Sequence, residues 1–115
     1  MVIGVSDYPN PIPQLPAVAS DVREMGKVLS SKHGVFRSAE LTVLTEKKAT
    51  RQQILDELKI ALSGSAPADT VFIYFAGHGG VEGKDYYFVA YDTDGADLAA
   101  TGVPLSKIKE LFDGT

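Results

Sequence analysis

The sequence predicts a three-layer α/β unit built on a parallel sheet with strand order 2-1-3. Short apolar runs at Met1–Val5 (MVIGV), Leu41–Leu44 (LTVL) and Val71–Ala76 (VFIYFA) read as strands. Two stretches of helical periodicity separate them. Right-handed crossovers then lay the helices across the sheet and bring the third strand beside the first.

The first run is apolar from its first residue. Ser6–Pro16 (SDYPNPIPQLP) follows with four of the six prolines, which deny helix and strand alike and predict a loop at the carboxyl end of that strand. Over Ala17–Ser31, Val18, Val22, Met25 and Leu29 form one stripe of a surface helix. Gly34 is expected to stop it. His33 then lies where a cation favours the negative end of the helix dipole, a structural role. Leu41–Leu44 follows the polar turn Arg37–Glu40.

Thr50 opens the second helix, with Gln53 completing a capping box. Ile54, Leu58, Ala61 and Leu62 supply its core face and Gly64 ends it. Ser63–Asp69 is a small-residue loop. The third run is continuously apolar, as expected of a strand buried on both faces of a parallel sheet. Val81–Asp85 reads as a polar loop, Tyr86–Tyr91 (YYFVAY) as a strand or hairpin arm, and Asp92–Thr101 as an acidic loop. Pro104 starts a last helix with Leu105, Ile108, Leu111 and Phe112 on one side.

At 115 residues the chain is one domain or part of one, without repeats or low-complexity tracts. A 44% hydrophobic and 23% charged composition is that of a globular chain, and no apolar run is long enough for a membrane span. The net charge of -4 and the scattered Lys and Arg argue against a nucleic-acid partner; a basic substrate fits better. With no cysteine, disulfides and thiolate metal sites are excluded within these residues. No charged-then-apolar leader suggests export, so a cytoplasmic setting is expected.

Chemistry concentrates at VFIYFAGHGG, Val71 to Gly80. His78 follows a buried strand at its carboxyl end, where open α/β sheets place their sites. Gly77 and Gly79 allow dihedrals that a Cβ forbids and let a substrate backbone come close to the main-chain N–H groups. On the residues alone, His78 reads either as a turn residue or as a catalyst.

The segment YFAGHGG, with Asp69 and Thr70 before it and YYFVAYD after it, resembles the histidine region of caspase-like cysteine peptidases: caspase homologues of bacteria, metacaspases and paracaspases. VIGVSDY, LPAVASDVREM and TRQQILDEL stand where that family has its first strand and first two helices. The resemblance implies a caspase-like αβα fold, of which residues 1–115 are the N-terminal part, truncated before the fourth strand. It implies a cysteine and histidine dyad in which His78 is the histidine. Gly79 matches the glycine whose backbone N–H helps form the oxyanion hole. Asp21 matches the acidic residue that binds a basic P1 side chain, which implies protein or peptide substrates cut after Arg or Lys. The other reading of Asp21 is a helix-surface carboxylate.

The sequence departs from the family in one large respect. A caspase nucleophile lies about 50 residues after its histidine, whereas 37 residues follow His78 here and none is a cysteine. The third strand, apolar on both faces, would stand at the sheet edge if nothing followed, which native sheets avoid. A further strand that pairs with it and ends in the cysteine would answer both absences, and the rest of the domain is thus an expected partner. The alternative is a catalytically inactive scaffold or pseudopeptidase that acts through protein binding. Ser6, Ser20 and Ser106 lack a nucleophile-elbow motif that would bring a base to them.

Some metacaspases use calcium, and Asp92, Asp94 and Asp97 are hard-cation ligands by type. The acidic pair that metacaspases carry further on is replaced by the neutral Thr101–Leu105, so a solvated loop and no cofactor are expected. A receiver-like binding module shares the 2-1-3 order but needs an acidic cluster or a phosphate-cradling loop. Ser6–Pro16 offers only Asp7 and no glycine.

Overall fold

The computed structural model describes residues 1–31 and 40–114. The expected stop at Gly34, the His33 placement and most of the turn Arg37–Glu40 lie outside the described residues. Strands β1 (Val2–Gly4), β2 (Val43–Thr45) and β3 (Tyr74–Ala76) form a parallel sheet in the order β2-β1-β3. This is the order expected from the crossovers. Helices α1 (Ala17–Ser30) and α2 (Arg51–Ser63) connect the strands.

The layers follow from alternation along β1. Val2 and Ile3 are both fully buried, yet successive side chains of a strand point to opposite faces. Val2 packs with Val18 and Val22 of α1 and with Ala76. Ile3 faces the larger core, where Leu44 meets Ile54, Leu55, Leu58 and Leu62 of α2 and Ile108 of the last helix. Thus α1 covers one face and α2 the other.

Gly4 seats α1 on the sheet. A Cβ there would overlap Val22 Cγ2 and stand 3.1 Å from Val18 Cγ1. Both are stiff, buried valines with little room to give. Gly4→Ala is expected to destabilise the chain by about 1–3 kcal/mol, the usual cost of overpacking. Urea unfolding measures it, and an unchanged midpoint would show that α1 is not held rigidly against β1.

Local boundaries differ from expectation in several places. α1 ends at Ser30 because Ser31 is extended, with ψ 136°. β2 starts two residues later and ends one residue later than Leu41–Leu44, with Leu41 and Val43 both exposed. Only Tyr74–Ala76 of the third apolar run is paired, and Phe72 is 42% exposed. The run is not buried on both faces, because β3 has a neighbour on one side only among the described residues. The Thr50 cap is present: its Oγ1 accepts the Gln53 N–H at 3.3 Å. Ala61 is only half-buried, and Leu55 takes a place on the core face instead.

The expected polar loop after His78 is largely a strand. β4 (Gly79–Glu82) pairs antiparallel with β5 (Asp85–Phe88), and β5 pairs with the short β6 (Val103–Pro104). Gly83, with φ +64°, takes the first of the two turn positions, which hairpins reserve for such a conformation. The acidic loop is also partly helical, with a 3-10 turn at Gly95–Asp97 leading into α3 (Leu98–Thr101). The last helix, α4 (Leu105–Asp113), buries Ile108 but leaves Leu105 exposed. Among the described residues no helix is long and apolar enough to cross a membrane.

Candidate active site

The site forms where the parallel sheet hands over to the hairpin. β3 ends at Ala76, β4 begins at Gly79, and only Gly77 and His78 lie between. The His78 side chain is partly exposed, while its backbone is fixed on both sides. Val89 N–H donates to the His78 carbonyl at 2.9 Å, and His78 N–H donates to the Tyr8 hydroxyl at 2.9 Å.

Tyr8 completes an interrupted ladder. In a regular antiparallel pair His78 N–H would bond the Val89 carbonyl. Instead the Tyr8 hydroxyl stands between them, accepting from His78 and donating to Val89 O at 2.7 Å. Tyr8 is only 2% exposed, and burial raises its phenol pKa, with the nearby Glu46 charge adding to the effect and the His78 amide opposing it. The hydroxyl therefore keeps the proton it donates. Its ring lies 5.1 Å from the imidazole at a 50° tilt.

This arrangement explains Gly77. A Cβ there would come within 2.5 Å of the Tyr8 hydroxyl and 3.0 Å of the Phe88 ring. The need is for space, not for unusual dihedrals: neither Gly77 nor Gly79 has positive φ. Gly79 would tolerate a Cβ, which would meet Tyr87 O at an ordinary 3.6 Å. Its amide matters more. With His78 and Val89 as the hydrogen-bonded pair, alternation makes Gly79 and Phe88 the other kind, whose N–H groups turn away from the partner strand.

The imidazole is aimed by the proline-rich loop. Nε2 of His78 lies 2.9 Å from the Pro13 carbonyl. A carbonyl only accepts, so in the neutral ring Nε2 carries the proton and Nδ1 keeps its lone pair. The ring thus has an orienting partner on one nitrogen, a feature that nucleophile activation requires of a base.

Other candidates fare differently. Asp21 lies exposed in the second turn of α1, and no hydrogen bond or ion pair joins it to His78. Asp92 caps α2 through its Oδ1, which accepts the Arg51 N–H at 2.9 Å, and the Arg51 guanidinium bonds the Ala100 carbonyl. Asp94 caps the 3-10 turn, accepting from Ala96 N–H at 2.9 Å. Among the described residues no group of three or more His, Cys, Asp or Glu is disposed to hold a metal ion. Sequence reasoning missed Tyr8 and Pro13 as individuals. A lone tyrosine among prolines was the only available signal.

The caspase domain model matches residues 1–115, the whole chain. The chain belongs to the caspase domain family. Among curated relatives of this caspase domain, Metacaspase-1 of Schizosaccharomyces pombe is 28% identical over 86 residues, covering 70% of this chain and 20% of that protein. Metacaspase-1 of Eremothecium gossypii is 28% identical over 112 residues, covering 83% of this chain and 24% of that protein. The chain thus spans about a fifth to a quarter of the length of these relatives. No solved structure matches it significantly. Family membership displaces the receiver-like reading, and within a caspase domain the resemblance of YFAGHGG to the family's histidine region falls on the residue that Tyr8 and Pro13 hold.

Proposed function

We propose that this chain is the histidine-bearing part of a caspase-like cysteine endopeptidase, with His78 as the base of a cysteine and histidine dyad. The observation that carries the proposal is the Nε2 contact to Pro13 O, which leaves Nδ1 as the free acceptor at the carboxyl end of β3. In the reaction, Nδ1 takes the thiol proton and the thiolate attacks the scissile carbonyl. The imidazolium then returns the proton to the leaving amine. Gly79 N–H, turned out of the ladder, stabilises the developing oxyanion.

The thiol belongs to a strand beyond Thr115 that pairs with β3. The half-exposed apolar face around Phe72 and the one-sided pairing of β3 support its place there. Reading the parent coding sequence for some 60 codons past Thr115 tests this, a window set by the roughly 50-residue histidine-to-cysteine spacing. An apolar strand ending in cysteine is the expected result. A continuation without cysteine would remove the dyad. The absence of cysteine from these 115 residues would then favour the second reading, an inactive caspase-like scaffold in a cytoplasmic setting.

Asp21 is the proposed recognition group for a basic P1 side chain. Its exposure, and its freedom from hydrogen bonds and ion pairs among the described residues, leave the carboxylate available. In the thiol-bearing protein, Asp21→Asn is expected to lower kcat/KM for Arg and Lys peptides by about 10–100-fold, as loss of a charge-assisted bond implies. Peptides with an uncharged P1 should change far less. Equal losses on both would make Asp21 structural.

A further inference from the structure

Glu46 adopts an unusual posture for an unusual purpose. It is the one described non-glycine residue with positive φ, +52°, a left-handed conformation that costs energy and persists only where its surroundings impose it. It stands directly after β2, opening the 3-10 turn Glu46–Lys48. Three donors converge on its carboxylate from across the sheet. Ser6 N–H reaches Oε1 at 3.0 Å, the Ser6 hydroxyl reaches Oε1 at 2.6 Å, and Asp7 N–H reaches Oε2 at 2.9 Å.

These donors are the first two residues of the proline-rich loop. The loop closes on itself at the same point, with Leu15 N–H donating to Ser6 O at 2.8 Å. Gln14 Nε2 bonds Tyr8 O at 3.2 Å within it. From this one loop come two of the groups that hold His78, the Tyr8 hydroxyl and the Pro13 carbonyl. Glu46 itself sits at the β2 edge of the sheet, with β1 between it and the histidine strand.

We propose that Glu46 is a positioning residue for His78: by clasping Ser6 and Asp7 it fixes the frame of the loop, and through Tyr8 and Pro13 it fixes the imidazole. The catalytic meaning of this role rests on reading His78 as the base; the mechanical coupling does not. The clasp works best with an ionised carboxylate. Partial burial alone would raise the Glu46 pKa, but the Ser6 hydroxyl and the Asp7 and Ser6 amides outweigh it and hold the group below its ordinary value.

Amide hydrogen exchange followed by NMR on this chain tests the coupling, with the ratio of the His78 rate to that of Leu58, in the core of α2, as the readout. Loss of global stability speeds both amides alike, so a merely structural role leaves the ratio unchanged. Glu46→Gln keeps the size but removes the charge and one acceptor oxygen. It should raise the ratio about tenfold, the effect of losing a hydrogen bond to a charged group. Ile108→Val, in the core contact of α4, should leave the ratio within about twofold while lowering stability.

An unchanged ratio in Glu46→Gln overturns the proposal. Should that variant fail to fold, Ser6→Ala removes only the hydroxyl bond and should raise the ratio roughly threefold; no rise there overturns it equally. A raised ratio, together with undiminished cleavage by a His78→Ala form of the thiol-bearing protein, would keep the clasp and discard the base. The two readings therefore fail separately.

Discussion

Replacing His78 by alanine in the thiol-bearing protein is expected to lower kcat/KM for peptide cleavage by about 10²–10⁴-fold, the span general acid–base groups contribute. The fold should survive. The His78 side chain is partly exposed and among the described residues makes a single hydrogen bond, to Pro13 O, while its backbone bonds to Tyr8 and Val89 are independent of the ring. Losing that bond costs about 0.5–1.5 kcal/mol. Kinetics on Arg and Lys peptides, beside a thermal melt of the same variant, separate the two effects. Undiminished turnover in a folded variant would exclude His78 as the base.

Tyr8→Phe is expected to be the most damaging conservative change to stability around the site. The ring and its packing remain, but His78 N–H loses its acceptor and Val89 O its donor. An orphaned buried group costs about 1–3 kcal/mol, and because the His78 amide is only partly buried a combined loss of about 2–4 kcal/mol follows. For a domain of this size that is roughly 8–16 °C in Tm. Calorimetry gives the answer directly. A drop under about 1 kcal/mol would mean that the two strands close up and re-form the missing ladder bond, making the hydroxyl dispensable. In the thiol-bearing protein the same change should also reduce kcat more than it raises KM, because it loosens the base and not the substrate contacts.

Much of the fold was legible because its signals are local. The runs around Ile3, Leu44 and Tyr74 are apolar and short, the α1 stripe through Val18 and Val22 repeats at helical spacing, and Thr50 caps α2 as its pattern with Gln53 predicts. Where reading failed, a distant partner decided. Val81 to Asp85 looked polar and loop-like, yet Val81, Glu82 and Asp85 belong to paired strands because Asp85–Phe88 folds back on Gly79–Glu82 through Gly83. Phe72 looked like core, yet it is half-exposed because burial of an apolar run depends on what lies beside the sheet.

The site divides along the same line. The sequence by itself determined that a histidine stands between glycines at the end of an apolar strand, in the family's YFAGHGG pattern, and that no cysteine accompanies it in these 115 residues. It also determined that a proline-rich loop must lie at the end of the first strand. Only the tertiary structure decided which atoms of that loop meet His78, that Gly77 is needed for the room Tyr8 requires, and that Glu46 anchors the loop from the far side of β1. The physical reason is range. Propensity and periodicity act between neighbours along the chain, whereas the contacts of Tyr8 and Pro13 with His78 and Val89 join residues 65 to 81 positions apart. Such contacts exist only after parallel pairing has laid β1 beside β3.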